Sequence, residues 1–255
     1  MGVLIFFGFA LLLAFWAAGS SGLLWRTRTL SRKHKAILAK YAISYQQAHA
    51  KDRHRMERIV ATFVHDKEWV GAGIVVAEEM KVMISACAAQ LLRGHPDLVL
   101  KHFEKFIVYP DTYRSHRSGR MHEGEVRPAT GTIVISWDDF VNGYAHTHDA
   151  HNVGLHELAH ALWFENTIEN GEDNFLHPGF LRTWNELADA EIRSIKAGNA
   201  SFFRDYAGTN EAEFFAVAVE YFFERPLEFR DALPEHYAVL VSLLKQDPAA
   251  VLLMN

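Results

Sequence analysis

Apolar residues recur along most of this chain at helical rather than strand spacing. From Ser31 to about Val64 they fall at Ile37, Tyr41 and Tyr45, then at Met56, Ile59, Val60 and Phe63, with charges between. That spacing predicts one or two amphipathic helices. Residues 77–93 keep the same period and stop at Gly94 and Pro96, a helix end. Further helices are expected over residues 179–197, 210–224 and 235–246. Strand patterns are few. Residues 106–109, just before Pro110, read as a short strand, and residues 130–137 as the clearest strand of the chain. Residues 111–129 between them are polar and rich in Arg, Gly and His, which predicts a surface loop or irregular hairpin. The expected fold is α+β, mostly helical, with a small sheet preceding the most apolar helix, residues 152–164.

That helix carries the chemistry. His156, Glu157 and His160 stand in it as HExxH, among the good helix formers Leu155, Leu158, Ala159 and Leu162. Residues four apart lie one above the other on a helix, so both imidazoles can face one Zn²⁺. Glu157 lies about 100° round the helix, near enough to reach a water on such an ion without joining its ligands. The plainer reading of the motif is two core histidines and a solvated glutamate. His146, His148 and His151 form a second local cluster, which reads better as a loop entering the helix, with Asp149 and Asn152 supplying hydrogen bonds at its start. The single cysteine, Cys87, excludes an internal disulfide framework and a Cys-rich zinc site.

Composition changes the picture mainly at the N-terminus. Residues 3–25 carry no charge and, as a helix, would extend roughly 35 Å, enough for a hydrocarbon core. Arg26, Arg28, Arg32, Lys33 and Lys35 follow at once, and no basic residue precedes. A cleavable signal peptide would have its basic residues on the other side. The pattern therefore predicts a single-pass anchor over residues 1–25, in the inner (cytoplasmic) membrane with the folded domain in the cytoplasm. Residues 26–62 would be a basic juxtamembrane helical segment and residues 63–255 the folded domain. Ten Lys and Arg against two acids between residues 26 and 58 leave the remainder acidic within a net charge of −5. That distribution suits a membrane surface, not nucleic acid.

Two histidines need a third protein ligand. No further histidine follows at the spacing that would supply one, so carboxylates remain: Glu186, in the NExxxD pattern of residues 185–189, and Glu213, in residues 206–226. Several segments together carry a resemblance: residues 67–71, 79–86, 107–110, 152–160 and 206–226. Through them the chain resembles the Mlc titration factor A (MtfA) family of zinc-dependent peptidases, whose core is related to that of the anthrax lethal factor protease. The resemblance implies a zincin-like metallopeptidase domain, with Zn²⁺ held by His156, His160 and Glu213. It also implies Glu157 as general base and Tyr206 as a donor to the transition state. Glu220, seven residues beyond Glu213, shares its helix face and either supports the site or is a plain carboxylate at the core's edge.

One position departs from the family pattern: Leu162 is followed by Trp163, where the family usually has Asp. The implied activity is that of an aminopeptidase or short-peptide hydrolase acting on a peptide or protein substrate. Residues 130–137 would lie as an edge strand along the cleft and bind extended peptide by strand addition. The alternative is a regulatory module that sequesters a transcriptional repressor, which makes a transcriptional regulator the candidate partner.

Overall fold

Helices and a small four-stranded mixed sheet make up the computed structural model, which describes residues 28–95, 97–115, 118–168 and 176–254. The chain opens with α1 (Arg32–Tyr41), α2 (Ile43–Gln47) and α3 (Ala50–Asp66). Met56, Ile59, Val60 and Phe63 of α3 are fully or almost fully buried, so the helical spacing read from the sequence is the face that enters the core. β1 (Glu68–Gly71) leads through α4 (Glu78–Leu92) to β2 (Lys105–Tyr109). The short hairpin of β3 (Tyr113–Arg114) and β4 (Met121–His122) precedes β5 (Gly124–Arg127) and β6 (Thr132–Ser136).

The four-stranded sheet runs in the order β1-β2-β6-β5. β1, β2 and β6 are parallel, with Glu68 opposite Lys105 and Lys105 opposite Thr132, while β5 returns antiparallel with Gly124 opposite Ile135. This topology corrects the expectation for residues 130–137. All five residues of β6 are buried, as a strand covered on both faces must be, and it lies inside the sheet. The edge strand beside it is β5, which the polar composition of residues 111–129 concealed. Each of its four residues is only partly buried.

β6 runs directly into α5 (Trp137–Ala145), whose N-cap Ser136 accepts from Asp139 N. Next comes α6 (Val153–Thr167), the HExxH helix, which packs against α4, α5, β5, β6 and α8 (Glu211–Glu224). The close crossing rests on Gly154. A Cβ there would lie 2.5 Å from the Phe140 ring and 3.0 Å from Cys87 Sγ. Cys87 itself is fully buried, and burial raises its thiol pKa, in keeping with a core role. α7 (Pro178–Lys196) lies outside α8, and α9 (Pro226–Ala232), α10 (Pro234–Leu244) and α11 (Pro248–Met254) close the chain. α8 is buried on nearly every side, from Phe214 to Phe222, and forms the centre of the helical layer with α6.

The single-pass, inner-membrane placement is corrected. No helix among the described residues is long and apolar enough to cross a membrane. The longest of them, α7, alternates buried Trp184, Ala188 and Ile192 with a charged outer face. The uncharged stretch of residues 3–25 lies outside the described residues.

Candidate metal centre

The site is built where α6 and α8 pack against each other, with β5 alongside α6. Asn152 caps α6, its side-chain oxygen accepting from Leu155 N at 3.0 Å, and this fixes the start of the turn that carries His156. Asn210 caps α8 in the same way, accepting from Glu213 N at 3.0 Å, and so sets the residue that faces α6. Three atoms then converge. His156 Nε2 and His160 Nε2 are each 3.1 Å from Glu213 Oε2, and 3.1 Å from one another. Among the described residues this is the group of His, Cys, Asp and Glu side chains able to hold a metal ion.

The spacing tests whether an ion fits. Bonds of about 2.0–2.1 Å in tetrahedral geometry place ligand atoms roughly 3.3 Å apart. The three atoms here already stand close to that separation. The tautomer also agrees. His156 Nδ1 lies 2.7 Å from Glu220 Oε1, so its proton points at that carboxylate and the Nε2 lone pair faces His160 and Glu213. Two imidazole nitrogens turned on each other beside a carboxylate are the donor set of a divalent cation.

Glu220 is 1 % exposed and fully engaged. Its Oε2 accepts from Asn152 N at 2.7 Å, and its Oε1 is also met by the Arg204 guanidinium, which bonds the Ala150 carbonyl as well. Of the two readings left open by the sequence, support of the site is the one the geometry matches. Burial alone would raise its pKa, but His156 and Arg204 hold it below the usual carboxylate range. His160 has no such partner: its Nδ1 is buried without a hydrogen bond. Trp163, three residues on, packs its ring 5.1 Å from that of Phe215. The metal-facing histidines are thus unequally held, one pinned from behind and the other positioned by packing.

Glu157 is 6 % exposed and stands beside the three atoms without joining them. Burial pushes its pKa up to about 8, with His156 opposing and Glu213 and Glu220 adding to the rise. Glu213 moves the other way. Burial works to raise it, yet the two imidazoles facing it outweigh that and hold it below the usual carboxylate range. A carboxyl that resists ionisation thus stands beside one that stays charged. Tyr206 sits in a 3-10 turn (Asp205–Gly208), its ring 6.1 Å from that of His156 and half exposed. Burial and the Glu213 carboxylate keep its phenol protonated. His156, Glu157, Tyr206, Arg204 and Glu220 line one cleft of about 420 Å³, with Met121 to Gly124 on the facing wall.

Glu186 is elsewhere, exposed on the outer face of α7. The three histidines before α6 go to separate partners: His146 to the Asn142 carbonyl, His148 to the Glu224 carbonyl and His151 to Glu123. Asp149 and Asn152 accept from backbone N–H groups at the helix start, as a loop entering α6 requires. Sequence reasoning missed Arg204, which stands in an irregular stretch before α8 with no pattern to mark it. It also missed Gly124, hidden in a segment read as a surface loop or irregular hairpin.

A model of the glucose-regulated metallo-peptidase M90 family matches residues 19–245. The chain belongs to that family. Among curated M90-like relatives, an uncharacterized protein of Synechocystis sp. is 26% identical over 237 residues, covering 85% of this chain and 86% of its own. Mlc titration factor A of Edwardsiella ictaluri is 29% identical over 168 residues, covering 58% and 62% respectively. The Mlc titration factor A of Yersinia pestis is 25% identical over 220 residues, 78% of this chain and 79% of that protein. Membership makes this M90 chain a metallopeptidase-like protein, and the His156–His160–Glu213 group is where a metal can sit.

Proposed function

We propose that this protein is a zinc-dependent peptidase that hydrolyses short peptides, acting as an aminopeptidase or short-peptide hydrolase. The reading rests above all on three ligand atoms 3.1 Å apart beside a buried, unengaged glutamate. His156, His160 and Glu213 hold the ion. Bound there, Zn²⁺ supplies Lewis acidity and brings the pKa of its water to about 7. Glu157 accepts the proton of the attacking water and returns it to the leaving amine. Tyr206 donates a hydrogen bond to the oxyanion that develops on the scissile carbonyl. Glu220, held by Arg204 and Asn152 N, keeps His156 in one tautomer and one orientation.

Substrate lies along β5 rather than β6. β5 is the edge strand of the sheet that passes directly by Glu157, so an extended peptide can add to it as a further strand. Full-length chain loaded with Zn²⁺ is expected to cleave short unblocked peptides, to lose that activity to a chelator and to regain it with Zn²⁺. Acetylated peptides compared with free ones separate amino-terminal from internal cleavage. Absence of hydrolysis in zinc-loaded protein that binds one ion per chain would remove the peptidase reading.

Support of His156 has its own expected result. Glu220→Ala should lower Zn²⁺ affinity by about 10- to 100-fold, as loss of a ligand's hydrogen-bonding partner commonly does. Competition with a chromophoric chelator measures it. Unchanged affinity would leave Glu220 with no part in holding the ion.

The name that several relatives carry, Mlc titration factor A, supports a second reading, capture of a transcriptional regulator. Binding of such a regulator that persists in chelator-treated protein, with no hydrolysis, would favour it.

A further inference from the structure

The edge strand meets the metal helix at one residue without a side chain. A Cβ built on Gly124 would lie 2.5 Å from Glu157 Cγ, 2.6 Å from its Oε1 and 2.7 Å from its Cδ. Real Cβ atoms do not approach other atoms so closely. Gly124 has no positive φ, so backbone freedom is not what the position needs. Its register is fixed by pairing with Ile135, and the neighbouring backbone bond from Ser136 N to the Glu123 carbonyl is 2.7 Å. The strand therefore cannot easily retreat. Any side chain at residue 124 must be accommodated by movement of the Glu157 carboxyl.

We infer that Gly124 is a positioning residue: its missing side chain is the space in which the Glu157 carboxyl rests, between the edge strand and the metal-binding atoms. The inference builds on the proposed role of Glu157. The atoms in the way are Cγ, Cδ and Oε1 of that one side chain and no backbone, so the Glu157 side chain is what gives way to a methyl group. What it changes is where the carboxylate points. Misplacement of a catalytic group by about 1 Å can cost on the order of 10² in rate. A glycine on this strand also lets substrate backbone run close to the base, because no β-carbon stands between them.

The test is a pair of substitutions and their combination, in full-length zinc-loaded protein. Gly124→Ala is expected to bind one Zn²⁺ per chain, to melt near the wild-type temperature, and to lose about 10²-fold in kcat with KM little changed. Its calorimetric affinity for acetohydroxamate, whose hydroxyl proton the base must accept, should fall as well. Glu157→Asp shortens the base by one methylene and opens the space a Cβ would fill. Once Glu157→Asp is present, adding Gly124→Ala should therefore cost far less than it does alone. If Gly124→Ala fails to fold, recovery of folding in the double variant carries the same meaning.

Wild-type kcat and hydroxamate affinity in Gly124→Ala would overturn the inference, as would losses that simply multiply in the double variant. The proposed function fails differently. An active Glu157→Gln protein would remove the role of the base, whatever Gly124→Ala does.

Discussion

Glu157→Gln is expected to keep its metal and lose nearly all of its turnover. The amide occupies the same space beside Gly124, so neither α6 nor the ligand triangle needs to move. Metal content should stay at one ion per chain, because the carboxylate is not among the three converging atoms. Proton transfer by a positioned base is worth about 10²–10⁴ in rate, and an amide cannot accept the proton. Single-turnover hydrolysis of a chromogenic peptide, with zinc measured on the same sample, gives both numbers. Tyr206→Phe is the informative comparison. It removes one donor from a half-exposed ring, so its loss should be smaller, again with metal retained. A Glu157→Gln protein with wild-type turnover would show that the base has been assigned to the wrong residue. Loss of zinc would show that Glu157 is a ligand.

Replacement of one buried ionisable group beside others also bears on stability. Glu157 is held above the usual carboxylate range chiefly by burial, which means the folded state resists ionising it. The neutral amide avoids that resistance, so the Gln variant should fold at least as well as the wild type in the absence of metal. An inactive yet fully stable protein is therefore the outcome that separates chemistry from folding here.

The helical half of the molecule was legible because its signals are local. α4, α7 and α8 begin and end within a residue or two of where caps and periodicity put them, and α6 runs three residues past the apolar stretch 152–164. Asn152 and Asn210 both cap as their positions ahead of apolar runs suggest. Other signals were present and passed over. Ser136 followed by Asp138 and Asp139 is a helix start, yet the strand was read through to Trp137 and α5 went unseen. Pro226, Pro234 and Pro248 each stand in the first turn of a helix, of which the pattern had yielded one.

The sheet was the harder part, because which strand is the edge depends on pairing partners far away in the chain. β6 looks like a strand from its composition. Only its position between β2 and β5 shows that it cannot be the strand that meets substrate. The site divides in the same way. His156, Glu157 and His160 lie within five residues and fix one another. Glu213 entered by resemblance against a rival carboxylate. Arg204 and Gly124 matter only through what the fold brings to them: Glu220 for one, the Glu157 carboxyl for the other.

The choice between the two carboxylates gives the second large effect. Glu213→Ala is expected to abolish stoichiometric zinc binding at micromolar concentrations, and Glu186→Ala to leave it intact. Glu213 Oε2 stands 3.1 Å from both imidazole nitrogens, whereas Glu186 is exposed on the far side of α7. A four-ligand structural zinc site is worth roughly 10–16 kcal/mol, so one ligand in three carries several kcal/mol and its loss lowers affinity by about 10³-fold or more. The variant should still fold. Asn210 caps α8 through the backbone N–H of residue 213, which the substitution does not touch. Circular dichroism paired with zinc stoichiometry on both proteins decides the matter. Zinc retained in Glu213→Ala and lost in Glu186→Ala would move the third ligand to α7, and with it the whole reading of α8 as the helix that completes the site.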